Sequence, residues 1–137
     1  MRWPIAALLL SLAAPAPALA DAPLLTSHLR IHDPWVVAEA QSRTYWLFSR
    51  NDPAVTGDRR TGIMAYASGD LAHWQRPRLV FALPQGSWAD DGGWAPEVHR
   101  WKGRWYLFAT FHNEKAALPA KSKRPLYRRA TLLAVAD

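Results

Sequence analysis

Trp94-Ala95-Pro96-Glu97-Val98-His99-Arg100-Trp101-Lys102-Gly103-Arg104-Trp105-Tyr106-Leu107-Phe108 decides the fold of this chain. Two runs of aromatic and aliphatic residues flank Lys102-Gly103, and a two-residue turn carrying Gly between β-prone runs predicts a tight hairpin. Pro96 has no N–H for a ladder, so it fits the first residue of a strand or an unpaired edge. Glu97 follows it, acidic among Trp94, Val98, Trp101 and Trp105. A carboxylate in such company is costly unless something holds or uses it.

An earlier stretch has the same form. Asp33-Pro34-Trp35-Val36-Val37 followed by Tyr45-Trp46-Leu47-Phe48 parallels Ala95-Pro96-Glu97-Val98 followed by Trp105-Tyr106-Leu107-Phe108. In and after the first copy, Ile31–Ala38, Thr44–Ser49, Gly62–Ser68 and Arg78–Ala82 read as strands rich in β-branched and aromatic residues. Gln41-Ser42-Arg43, the Arg50–Thr61 stretch and Gly69–Trp74 read as turns and loops. After the hairpin, His112–Arg129 reads as a long polar loop, and Thr131–Asp137 echoes the strand at Ile63–Ser68. No window predicts a long amphipathic helix, so the chain is all-β. A repeating unit of four strands is the signature of a propeller blade, and the second copy ends after its third strand.

The N-terminus has a different character. Met1-Arg2 is a short basic start, Ile5–Leu12 an apolar run, and Ala18-Leu19-Ala20 a small-residue cleavage site. Residues 1–20 read as a secretory signal peptide, too short for a membrane span. The mature chain, residues 21–137, is therefore expected outside the cytoplasm, secreted or periplasmic. It has no cysteine, so its folding rests on packing, and it holds seven of the eight Trp, which supply large rigid apolar area. The formal charge of +6 stays basic when Arg2 leaves, with Lys121, Lys123, Arg124, Arg128 and Arg129 clustered late in the chain. This patch carries no nucleic-acid-binding motif, and a solvated loop accounts for it; no nucleic-acid partner is expected. Oligomeric state is not legible.

Trp-Ala-Pro-Glu-Val, a short turn and Trp-Tyr-Leu-Phe resemble the second-blade hairpin of glycoside hydrolase family 43. The resemblance spans Ile31 to Asp137 and implies a five-bladed β-propeller, of which the first blade and most of the second are present. It implies an enzyme that hydrolyses O-glycosidic bonds, with inversion, in polysaccharides of the arabinan, xylan or galactan kind. One complete blade plus three strands cannot close a propeller, so this is expected to be the N-terminal part of a longer protein. The alternative is a non-catalytic carbohydrate-binding or pseudo-enzyme fragment; a third is a structural propeller of another kind.

Inverting hydrolysis needs an ionised carboxylate to activate water and a protonated one to donate to the leaving oxygen, roughly 6.5–9.5 Å apart. The resemblance assigns the base to Asp33, which precedes Pro34, although Asp-Pro alone also reads as a turn opener. It assigns to Glu97 the acid that tunes and orients the proton donor, with Glu where the family more often has Asp. A Glu97 paired with Arg100 or Arg104 is the plainer reading. The family's general acid lies in a later blade; Glu114 matches no such position, and this polypeptide alone is not expected to catalyse. Trp35 and Trp94 flank the two acids and could stack on a sugar ring or pack between blades; Trp46, Trp101 and Trp105 are expected to pack. His32 and His99 each neighbour a site acid and could hydrogen-bond there. Phe111-His112-Asn113 and the Trp88–Gly93 loop could border the cleft. His32, His99 and His112 share no zinc spacing, and Asp90-Asp91 lacks an EF-hand pattern. No metal site and no required cofactor are expected; a structural calcium, present in some relatives, is not indicated.

Overall fold

The computed structural model of the protein describes residues 22–119 and 126–136. The predicted signal peptide lies outside the described residues, as do Lys121, Lys123 and Arg124 of the basic patch. The described chain is all-β. Strand β1 (Leu24–Leu25) and a 3-10 turn precede β2 (Trp35–Glu39) and β3 (Thr44–Arg50), which pair antiparallel from Trp35–Phe48 to Glu39–Thr44. A short helix, α1 (Pro53–Thr56), leads to β4 (Gly62–Ser68), which pairs with the other edge of β3. The outer edge of β4 is shared: β6 (Arg78–Ala82) covers Gly62–Ala65, while β5 (His73–Trp74) meets Ser68 and carries β1 beyond it. The second sheet runs β7 (Asp91–Trp101), β8 (Arg104–Leu118), β9 (Leu126–Ala136), each antiparallel to the next.

The deciding hairpin folds as its sequence predicts. Trp101 pairs with Arg104, and Lys102 and Gly103 both have positive φ (48° and 82°), the primed turn that matches strand twist. Pro96 stands inside β7 rather than at its start, and a bulge explains how. Trp94 pairs with Thr110 and Glu97 with Phe108, so β7 carries one residue more than β8 there. A bulge leaves its extra residue out of the ladder, which suits a residue without an N–H.

Three strand expectations are corrected. The strand expected over Ile31–Ala38 is β2 and begins at Trp35, because Asp33 is left-handed (φ 46°), which breaks an extended run from Ile31. The predicted turn Gly69–Trp74 contains β5, and the predicted polar loop His112–Arg129 is mostly strand, since β8 reaches Leu118 and β9 begins at Leu126. Polar side chains do not prevent pairing where one sheet face meets solvent. A four-residue step between Asn113 and Ala117 in the β8–β9 register absorbs Glu114, Lys115 and Ala116.

Two cores result, on opposite faces of β4. Leu47, Met64, Tyr66 and Trp74 pack beneath Leu24, Leu29, Tyr45 and Val55. Ile63, Ala89, Ala109 and Phe111 join the two sheets, with Phe48, Phe81, Leu107 and Leu132 around them. Burying a side chain of this size contributes about 1.5–3 kcal/mol, so the joint between sheets rests mainly on this second cluster. Polar links span the joint as well. Trp35 Nε1 donates to the Val98 carbonyl at 3.0 Å, and Arg50 Nη2 lies 2.8 Å from Asp91 Oδ1.

Candidate active-site rim

The two repeats agree in backbone as well as in sequence. Trp35 pairs with Phe48 and Glu97 with Phe108, and the Leu-Phe pairs are equivalent in the repeat. Asp33-Pro34-Trp35 therefore corresponds to Ala95-Pro96-Glu97. In both, the residue before proline is left-handed, Asp33 at φ 46° and Ala95 at φ 44°. Glu97 stands at the position of Trp35, two residues past the position of Asp33.

Asp33 lies two residues before the start of β2 with its side chain half exposed, Oδ2 at 3.1 Å from His32 Nδ1. Its approach is fixed from below by Ser49, fully buried on β3, whose hydroxyl accepts the His32 N–H and donates to the His32 carbonyl. His32 also borders an open cleft of about 530 Å³, with Arg30, Arg50, Asn51 and Asp52 among its walls. Arg30 Nε bonds Asp52 at 2.7 Å, and the Ala54 N–H with this guanidinium holds the Asp52 carboxyl below the usual range.

Glu97 is exposed, which corrects the expectation of a carboxylate enclosed by tryptophans. It stands in regular register opposite Phe108, on the hairpin side of the bulge, and its partner is His99, with Nε2 at 3.3 Å. Arg100, one of the predicted partners, goes instead to Glu39 at 3.5 Å and Gln41 at 3.4 Å. The His99 ring lies 5.3 Å from Trp35, so Trp35, His99 and Glu97 form one contiguous group. Asp33 and His32 form another, and no direct hydrogen bond or ion pair joins the two groups among the described residues.

The tryptophans divide by what they touch. Trp35 is engaged with Val98, and Trp94 stacks on His112 at 4.5 Å beneath the Arg129 guanidinium. Trp46 and Trp105 line an apolar cleft of about 490 Å³ between the sheets, as inter-blade packing predicts. Trp101 does not: it is 59% exposed at the hairpin tip, against Tyr106 and beneath Lys102. Neither Asp33 nor Glu97 lines that apolar cleft, so it is packing space rather than the centre of the chemistry.

Asp91, His112 and Glu114 have no metal-ligand spacing in sequence and are not expected as ligands. The structure groups them, with one ligand atom from each lying within 4.8 Å of the others. The signal was the hairpin centre itself: counting outward from Lys102-Gly103 brings Asp91 opposite the 112–114 stretch.

The sequence profile of the glycosyl hydrolases of family 43 matches residues 23–131. Among solved structures, the chain is similar to the endo-arabinase from Bacteroides thetaiotaomicron VPI-5482, at 27% identity and a TM-score of 0.64. That likeness covers 85% of this chain and 34% of the endo-arabinase, so the chain spans about a third of that enzyme's length. No curated protein matches the sequence.

Proposed function

Because the chain belongs to glycosyl hydrolase family 43, we propose that it is the N-terminal part of an exported enzyme that hydrolyses O-glycosidic bonds, with inversion, in arabinose-containing polysaccharides. Its two sheets are the first blade and most of the second of a five-bladed propeller, and residues 1–20 are the export signal. The similar endo-arabinase, of which this chain spans a third, supports both the substrate and the incompleteness.

Asp33 is the observation that carries the reading. It is a half-exposed carboxylate in left-handed backbone, held at the head of the innermost strand by Ser49. An ionised group so placed is available to take a proton from water, the task of the base in inverting hydrolysis. Glu97, hydrogen-bonded to His99, is the second rim carboxylate; it orients and tunes a proton donor contributed by a later blade. Trp35 and Trp94 wall the sugar-facing rim, and His32 and His99 hold the two acids.

The test is to express the protein encoded by the whole locus and assay it on aryl arabinosides, xylosides and galactosides. Turnover of arabinosides is expected, with Asp33→Ala lowering kcat at least about a hundredfold. Sugar binding without turnover would make it a carbohydrate-binding protein. Full activity of Asp33→Ala would remove Asp33 from the chemistry.

A further inference from the structure

The β7–β8 register gathers three ligand groups on one face of the second sheet. Asp91 lies directly opposite His112, and Glu114 follows two residues along β8. His112 Nε2 is 3.2 Å from Glu114 Oε1 and 3.9 Å from Asp91 Oδ2. Donors bound at about 2.0–2.1 Å around a tetrahedral ion stand roughly 3.3 Å from one another, so small side-chain adjustments close these three on one centre. Asp91 presents Oδ2 because its Oδ1 is occupied by Arg50 Nη2 at 2.8 Å and the Gly92 N–H at 2.7 Å.

A second observation is independent of that spacing. The His112 side chain is 2% exposed, stacked on Trp94 at 4.5 Å and tilted against Tyr127 at 6.1 Å, and its Nδ1 has no hydrogen-bond partner. The carboxylates meet the other ring nitrogen, Nε2, so it is the burial and the aromatic clamp, not the unpartnered Nδ1, that bear on the cluster. Here the ring is clamped between aromatics with its remaining nitrogen aimed at two carboxylates, one of which reaches in from solvent.

We propose that Asp91, His112 and Glu114 bind a divalent first-row transition ion, with Zn²⁺ the ion to test. An imidazole with two carboxylates suits Zn²⁺, whereas Ca²⁺ takes six to eight oxygens and gains little from a buried ring nitrogen. The exposed Glu114 is the entry side. A bound ion ties β7 to the irregular end of β8, and through the Asp91–Arg50 pair it braces the joint between the sheets. Neither Asp33 nor Glu97 is among its ligands, although His112 stacks on the rim residue Trp94, so metal binding is read directly rather than through sugar hydrolysis.

The test titrates ZnCl₂ into the full chain by calorimetry, with thermal melts in the presence and absence of EDTA. One equivalent should bind and raise the Tm, and EDTA should reverse the rise. Glu114→Gln, at an exposed position that leaves the fold intact, should weaken binding at least tenfold, while Asp70→Asn, beside the surface His73, should leave it unchanged. Co²⁺ should give visible absorption bands in the parent chain that Glu114→Gln loses, a readout that needs no variant of the buried His112. Absence of Zn²⁺ binding, binding unaltered in Glu114→Gln, or equal affinity for Ca²⁺ each overturns the assignment.

Discussion

Ser49 grips the peptide unit of His32 on both sides: its hydroxyl accepts the His32 N–H at 2.9 Å and donates to the His32 carbonyl at 2.8 Å. The next residue is Asp33, in left-handed backbone before a proline. Ser49→Ala removes both bonds to this part-buried peptide unit, and should cost about 1 kcal/mol. Urea unfolding measures that loss. Hydrogen exchange at the His32 and Asp33 amides should accelerate locally; unchanged protection would mean that something other than Ser49 holds the segment.

Gly93 and Gly57 are both left-handed, at φ 87° and 72°, but differ in surroundings. A Cβ on Gly93 would sit 2.6 Å from the Gly62 carbonyl oxygen, whereas one on Gly57 would meet nothing within 4 Å. Gly57→Ala should cost about 1 kcal/mol, the backbone penalty alone. Gly93→Ala should cost about 2–4 kcal/mol, because it also pushes the sheets apart. Comparable denaturation midpoints for the two variants would contradict the close approach.

The Trp35 indole N–H bond to the Val98 carbonyl joins β2 and β7, an edge strand of each sheet. Trp35→Phe keeps most of the apolar area and removes the donor, for an expected loss of about 1 kcal/mol. The Val98 carbonyl frequency in an isotope-edited infrared spectrum should shift as the bond is lost.

Acid should destabilise the first sheet through two short-range carboxylates. The His73 N–H, the His73 ring and the Ala72 N–H hold Asp70 far below the ordinary range, and the Arg60 guanidinium lowers Asp58 from 3.8 to about 2. A depressed folded-state pKa means that the unfolded chain binds the proton more tightly. The stabilisation is thus complete above the ordinary carboxylate pKa and is lost as pH falls from about 4 through about 2. Both groups are exposed, so the effect is small and weakens with salt. Urea midpoints across that window should fall, and Asp70→Asn should flatten the profile; an unchanged slope would exclude Asp70.

Much of this was legible before any coordinates. The Lys102-Gly103 turn, the repeat of Asp33-Pro34 in Ala95-Pro96 and the all-β class follow from local chemistry, because turn type and strand propensity are short-range properties. The orientation of β7 was not legible. Two bulges, at Gly93 and near Ala95-Pro96, place Asp91, Trp94 and Glu97 opposite His112, Thr110 and Phe108. Every third residue thus shares a face where a regular strand would bring every second. Period-two reasoning sends Trp94 to the wrong side and hides its stacking on His112. Glu97, in regular register opposite Phe108, is exposed for another reason: its neighbours in sequence are not its neighbours in space.

Several long-range polar links share one form. Trp35 reaches the Val98 carbonyl, Ser49 the His32 peptide, Tyr66 the Arg30 carbonyl, Thr61 the Asp90 carbonyl and Asn113 the Trp88 carbonyl. Each joins a side chain to main chain, so each depends on a single codon. The partner position can drift without loosening the bond, whereas the donor has few substitutes. In diverging sequences, Trp35, Ser49, Thr61, Tyr66 and Asn113 should therefore change more slowly than Val98, His32, Asp90, Arg30 and Trp88, wherever packing alone does not fix the latter.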